Sequence, residues 1–543
     1  MDLTGLNVTN VKDARSAVSH AQMKDALVYR GPSRIQEVVR QAISWDSAID
    51  APPVQTQWSI HPKTTDIIDK HMRIRAYFRV KAVGGGNFKV GDYDCLRQMP
   101  HHAIINTMNI RINGTTISDT VSDKLHALLN YGNTAQDRVK AWSTSAAQPD
   151  QLQSYVKYTD EGSARNVMAD YGENSAEISR GGFTSIYKVN DTTYDVVVTE
   201  PILMPPFCNG IGEVEQGFVN VNQMDINLLY NSKVERLWSH ISGAPNPETV
   251  TGVTVSQFRA PELLYNVITP ASSQFLPAMQ IMPYSRLNTY AKPFTFNSLN
   301  EISNQLSEAF KLSIVPDCVY LFAKRSRAVE SFETTDTFAS IERIRVQFNN
   351  ETLFSTSSTQ ELYDISRQNG LNRAYPQWAK YTGSVLCLKF GKDIGLPADL
   401  APNVQAQGTI DFQVEFKNVS EDAVVNMEYF TIFQYGGVLS IAENSANITL
   451  GNLTKEIVLT SANAPHISSN HPMLQGGNFW SSLKNIVNKV AHVVAPVAGM
   501  AQVGLKAKGM KGLADIAGDV QSGAKLVSKY TGGGIVGGRV RRR

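Results

Sequence analysis

Four features are scarce or missing in this 543-residue chain, and each absence removes a class of function. Only four cysteines occur, Cys95, Cys208, Cys318 and Cys387, widely spaced and two of them inside apolar runs. That pattern excludes a disulfide scaffold and a paired Cys-x-x-Cys metal knuckle, and predicts buried free thiols. No window reaches the roughly 18 uninterrupted apolar residues of a membrane span. The first residues, MDLTGLNVTNVKDARSAV, hold no apolar core of signal-peptide length, so synthesis and folding are expected in the cytosol. Nucleotide and hydrolase signatures are missing as well: there is no Walker A loop, no HExxH and no GxSxG, and Gly84-Gly85-Gly86 lacks a following Gly-Lys-Ser/Thr. His101-His102 is the nearest hint of a metal. Read as part of a strand, adjacent histidines point to opposite faces, so no metal site, catalytic group or cofactor is expected.

Charged residues make up 18% of the chain and apolar ones 42%, which suits a folded protein with a sizeable core. Its length calls for two large domains plus appendages. The net charge of +2 conceals an asymmetry, because residues 478–543 carry eleven Lys/Arg against Asp515 and Asp519, which leaves about −7 on the rest.

Residues 1–54 are polar and predict an arm, with one helical stretch in SRIQEVVRQAISW, where Ile35, Val38, Val39 and Ile43 share a face. From about 55 to 465 short β-rich runs alternate with Gly, Asn, Asp and Pro turns, as in MRIRAYFRVKAV, TYDVVVTEPIL, DCVYLFAKR and TIDFQVEFKN. Such spacing predicts all-β sandwiches. A long-period repeat divides them. TMNIRINGTTIS, turning at Asn113-Gly114, aligns with IRVQFNNETLF, turning at Asn349-Asn350, at an offset of about 236 residues. Each hairpin precedes a helix-like stretch, SDKLHALLNYGN or TQELYDISRQNG, and follows a strongly apolar strand. The expected division is 55–265 for the first β domain, 266–292 for a linker and 293–465 for the second domain, with a small helix at 299–311.

The stretches LRQMPHHAIINTMNIRINGTTISDTVSDKLHALLNYG, SIVPDCVYLFAKRS, IRVQFNNETLFSTSSTQELYDI and GSVLCLKFGKDIGLPADLAP resemble the double jelly-roll major capsid proteins of eukaryotic dsDNA viruses, the adenovirus, virophage and polinton-like group. The resemblance implies a fold of two tandem jelly-roll sandwiches and a structural role rather than an enzymatic one. It implies homotrimers tiling an icosahedral virion shell, neighbouring capsomers and penton or minor capsid proteins as partners, and synthesis in the host cytoplasm with assembly in the nucleus. A carbohydrate- or receptor-binding β-sandwich is the rival reading.

The tail is a separate object. After a linker at 466–477, residues 478–494 place Phe479, Trp480, Leu483, Ile486, Val487, Val490 and Val494 in one helical arc, with Lys484, Asn485 and Lys489 opposite. That face suits a membrane interface, and it equally suits packing beneath a shell. Leu474-Gln475-Gly476-Gly477 before Asn478, and Ile535-Val536-Gly537-Gly538 before Arg539, resemble the sites cut by adenovirus-type maturation cysteine proteases. Cleavage at both releases 478–538, which resembles the adenovirus membrane-lytic internal protein, and the terminus 539–543. Its cluster of Arg539, Arg541, Arg542 and Arg543 offers a contact for packaged DNA or for the protease.

Overall fold

A computed structural model of the chain describes residues 34–41, 50–132, 186–207, 217–240, 248–269 and 279–451, apart from short breaks within them. Alternation builds its strands. Residues 73–83 place Ile74, Ala76, Phe78, Val80 and Ala82 inward, while Arg73, Arg75, Tyr77, Arg79 and Lys81 take the opposite face.

The first half contains β1 (Arg34–Gln41), β2 (Gln55–Ile60), β3 (Ile67–Asp69), β4 (Arg73–Val83), β5 (Asp94–Leu96), β6 (Ile105–Ile112), β7 (Thr115–Asp119) and β8 (Ile186–Asn190). β9 (Thr193–Pro201), β10 (Gly217–Phe218), β11 (Met224–Tyr230), β12 (Trp238–His240), β13 (Gly252–Gln257) and β14 (Glu262–Thr269) complete it. One sheet contains the run β1-β14-β4-β9, extended by β8 on β9, and the other runs β2-β11-β6-β7. The second half contains β15 (Met279–Phe296), β16 (Ile302–Leu306), β17 (Phe310–Ile314), β18 (Cys318–Arg325), β19 (Ala339–Phe348), β20 (Glu351–Thr356), β21 (Leu386–Lys389), β22 (Gln405–Asn418), β23 (Val425–Ala442) and β24 (Ser445–Leu450). Its sheets run β15-β23-β18-β21 and β16-β22-β19-β20, with β17 continuing β16 along β22. Position for position the two halves have the same order: each holds two sheets built on a matching run of four strands, and in each the hairpin β6-β7 or β19-β20 closes the end of its sheet. That is a jelly roll made twice.

The repeated hairpin is the clearest mark of duplication. Asn113 (φ 43°) with Gly114 (φ 91°), and Asn349 (φ 50°) with Asn350 (φ 66°), put both central residues in the left-handed region that a two-residue type I′ turn demands. Each first asparagine also serves the neighbouring strand. Asn113 Oδ1 accepts from Asn222 N at 3.0 Å, and Asn349 Oδ1 accepts from Thr409 N at 2.9 Å. The two expected helices follow the hairpins: α2 (Val121–Ala127) continues as a wider turn through 128–132, and α3 (Thr359–Gln368) starts at Ser358, whose hydroxyl accepts from Glu361 N, while a short helix that was not expected, α1 (Pro100–Ile104), precedes the first hairpin.

Three expectations fail. The stretch expected as a helix around Ile35–Ile43 is instead β1 over Arg34–Gln41, paired along its whole length with β14. Its β-branched residues suit either state, and a waiting partner strand decides. The helix expected over 299–311 is β16 and β17, both laddered to β22, so tertiary pairing overrides an apolar spacing of three and four. The segment 266–292 is mostly strand, since β14 runs to Thr269 and β15 begins at Met279. Pro283 and Pro293 sit within β15 because, among the described residues, it is an edge strand paired only with β23, where a missing N–H costs little.

Candidate functional site: the seam between the sandwiches

β18 reads CVYLFA, an apolar run without alternation, because both of its faces are covered. Val319, Leu321 and Ala323 join the core of the second sandwich; Cys318, Tyr320 and Phe322 join the core cluster of the first. Cys387, Phe430 and Ile432 extend that second face across the sheet. α2 and the turn after it lie on it. His126 stacks on Phe338 at 3.8 Å, and the Tyr131 ring lies 5.3 Å from Tyr320 while its hydroxyl donates to Val385 O at 2.6 Å. Each buried ring or branched side chain here contributes about 1.5–3 kcal/mol.

Polar contacts rim this apolar centre. The segment 326–338, between β18 and β19, reaches over the first sandwich: Arg97 binds Asp336 at 2.7 Å and donates to Ser331 O at 2.8 Å, Arg236 pairs with Glu330, and Arg327 with Asp123 at 2.6 Å. Burial pushes the Arg236 guanidinium down to about 10, helped by Arg327 and Arg97. At the other end Asn113 Nδ2 donates to Ala442 O at 2.7 Å, and Gln280 accepts from Val219 N while donating to Gly217 O. Apolar packing at the centre and polar contacts at both ends thus join the two sandwiches.

A second buried constellation lies under the seam. His101 and His102 stand on α1, where consecutive side chains are about 100° apart rather than on opposite faces, so the strand geometry expected for them is wrong. Both are fully buried with Glu200 of β9. Glu200 accepts from His101 N at 3.0 Å, His102 N at 2.9 Å and His102 Nδ1 at 2.5 Å, and His101 Nε2 meets the Tyr230 hydroxyl at 2.9 Å. Ligand-capable atoms of the three residues lie within 4.8 Å of one another. Yet 2.5 Å is a charge-assisted hydrogen bond; two ligands around one tetrahedral zinc sit about 3.3 Å apart, given bonds of about 2.0–2.1 Å. The group is therefore a hydrogen-bonded hub. Burial pushes His101 down to about 4 from 6.5, against the opposing pull of Glu200. Burial alone raises Glu200, but the hydrogen bond from His102 and the charges of both histidines outweigh it, and the carboxyl ends below its ordinary value. Nearby, Asp94 accepts from Trp238 Nε1 at 3.0 Å and faces His240 Nδ1 at 2.9 Å.

Cys95, Cys318 and Cys387 are buried free thiols, as expected, and Cys208 lies outside the described residues. So do both Gly-Gly sites at 474–478 and 535–539, the apolar arc from Phe479 to Val494, and the arginine terminus. The seam residues went unpredicted, although two signals for them existed. The unbroken apolar run of β18 marked a sheet covered twice, and Glu200 occupies an inward position after Tyr194, Val196 and Val198, where only a partnered carboxylate fits.

Residues 17–268 match the family described as Sputnik virophage major capsid protein 1st domain, and residues 289–437 match Major capsid protein V20 C-terminal domain. The putative capsid protein V20 of Sputnik virophage is 28% identical over 492 residues, covering 82% of each chain. Among solved structures, a chain of the Sputnik virophage determined by cryo-EM superposes with a TM-score of 0.69 at 24% identity, over 81% of this chain and 92% of the other. The crystal structure of the mavirus major capsid protein gives 0.62 at 13% identity, over 80% and 93%. These two superpositions reproduce both jelly rolls in series.

Proposed function

We propose that the chain is a major capsid protein of the virophage kind, a structural double jelly roll, and that three copies close into a capsomer that tiles an icosahedral shell. The observation that carries this reading is the seam. One chain offers two like sandwiches packed on each other, so three chains supply six like positions around one axis, a shape suited to hexagonal tiling. A glycan- or receptor-binding sandwich needs no such duplication. Light scattering on residues 1–477, followed by negative-stain imaging, tests it: trimers with pseudo-hexagonal outline are expected, and a monomer under every assembly condition refutes it.

For the tail, the reading rests on sequence: a segregated apolar arc, local positive charge and glycine sites on both borders. We propose that a viral cysteine protease cuts after Gly477 and Gly538, and that the freed 478–538 segment acts on membrane lipid while Arg539–Arg543 contacts DNA. Neighbouring capsomers and penton or minor capsid proteins complete the partner set, with synthesis in the host cytoplasm and assembly in the nucleus. Intact-mass spectrometry of virions decides the cleavage; a capsid species running through Arg543 alone refutes it.

A further inference from the structure

β16 carries its side chains the wrong way round. Ile302 and Leu306 face water, 56% and 52% exposed, whereas Ser303 and Gln305, opposite the buried Phe416 and Val414 of β22, turn inward and bond to each other at 2.8 Å. Leu299, in the turn before the strand, adds a third aliphatic side chain to the exposed set. β2 holds the same place in the first sandwich and alternates in the ordinary sense: Trp58 and Ile60 are buried, and the outward Gln55 donates to Asn227 of β11 at 3.0 Å. Aliphatic side chains on the outside of a strand lose the contribution of their burial unless something covers them.

The edge is open as well as apolar. Among the described residues β16 and β17 pair with β22 alone. Glu301 O accepts from Asn418 N and Ser307 N donates to Phe412 O, so the odd-numbered backbone groups of β16 turn toward β22 and the even-numbered ones away from it. Lys292 Nζ takes up Leu306 O at 2.7 Å, and Ile302 and Asn304 have no strand beyond them among the described residues. Such an edge invites another strand. The chain supplies one itself. Its described part ends at Gly451, whose backbone packs against the side chain of Ile314 at the far end of β17. The residues that follow, NLTKEIVLTSAN, lie outside the described part and hold Ile457-Val458-Leu459, a β-prone run apolar on both faces of an extended chain. Twelve steps lead back from Ile314 to Ile302, and twelve lead from Gly451 to Asn463, so an extended segment running against β17 and β16 matches the edge in length.

We infer that residues 452–463 add to the free edge of β17 and β16 as an antiparallel strand of the same chain. Alternate side chains of the run then lie beside Ile302 and Leu306 on the outer face, while those between them close the sandwich core on the inner one. The polar outer face of β2 explains why the first sandwich needs no such cover. The added strand lies before Gly477, so it stands apart from both the trimer and the cleavage readings: it fixes the root of the tail to the second sandwich and removes an apolar edge from the reach of other chains.

Hydrogen exchange read by mass spectrometry on the full chain tests it. Val458→Pro, which removes a ladder donor, is expected to speed exchange of the amides in 302–306 about ten-fold or more while leaving β18 as protected as in wild type; Ser468→Pro, beyond the segment, is expected to change neither. Equal exchange of 302–306 in wild type and Val458→Pro overturns the inference. A second readout does not depend on the proline variant folding: Asn304→Cys with Leu459→Cys, treated with a short bismaleimide in a mixture of isotopically distinct copies. A link within one chain supports the added strand. Links only between chains assign the edge to a second copy and overturn it, as does the absence of any link.

Discussion

Acid should loosen this protein through His101, and the size of the effect follows from its burial. The imidazole is fully buried, 5.8 Å from Phe78, and titrates near 4 instead of 6.5. Between those values the unfolded chain binds a proton that the folded chain refuses. The stability tied to neutral His101 is therefore fully present above about 6.5 and falls as pH drops toward 4. Going from pH 7 to pH 5 removes about 2 kcal/mol, a factor of about 30 in the unfolding constant. Glu200, with its value lowered, contributes stability that is lost only below the ordinary carboxylate range, so it adds little in this window. Urea unfolding of wild type and His101→Phe at both pH values measures the term. The wild type is expected to lose about 2 kcal/mol more than the variant, and slopes agreeing within about 0.5 kcal/mol would refute a buried neutral imidazole.

Three further outcomes are expected. Phe322→Ala, which removes a ring 5.1 Å from Phe430 and 5.6 Å from His126, should cost about 3–5 kcal/mol and split one calorimetric transition into two, whereas Val319→Ala should lower only the second sandwich's melting. A single transition at the wild-type temperature for Phe322→Ala contradicts the shared core. Arg97→Ala should cost about 3–5 kcal/mol, and a double-mutant cycle with Asp336→Ala should show coupling; additive losses would mean the pair does not hold the seam. In a synthetic 478–538 peptide, Leu483→Glu with Val487→Glu should abolish dye leakage from anionic vesicles while Asn485→Gln should not; equal leakage from all three removes the membrane role.

The duplication was legible because it is written in turn chemistry. Asn113-Gly114 and Asn349-Asn350 sit where both central residues need positive φ, and few residue types tolerate that, so the hairpins announce themselves across 236 residues of divergent sequence. The failures share a physical cause too. Residues 34–41 and 302–306 carry apolar side chains at spacings compatible with a helix, and only the distant partner strands β14 and β22 make them strands. Local pattern cannot encode a partner that lies more than 100 residues away.

The seam was harder to read for a different reason. A sheet packed on one face alternates and a sheet packed on both does not, so CVYLFA carried the information that something covers the second face, without saying what. The answer comes from α2, whose buried Lys124 donates to Leu287 O at 2.7 Å and pairs with Asp119. A lysine inside a buried helix contradicts a simple apolar pattern, yet here it satisfies a strand carbonyl that the second sandwich leaves open. The same position in the repeat is Glu361, and it faces water. Duplicated folds thus record their packing in the differences between copies: where the first carries a buried lysine on a strand carbonyl, the second keeps an exposed glutamate.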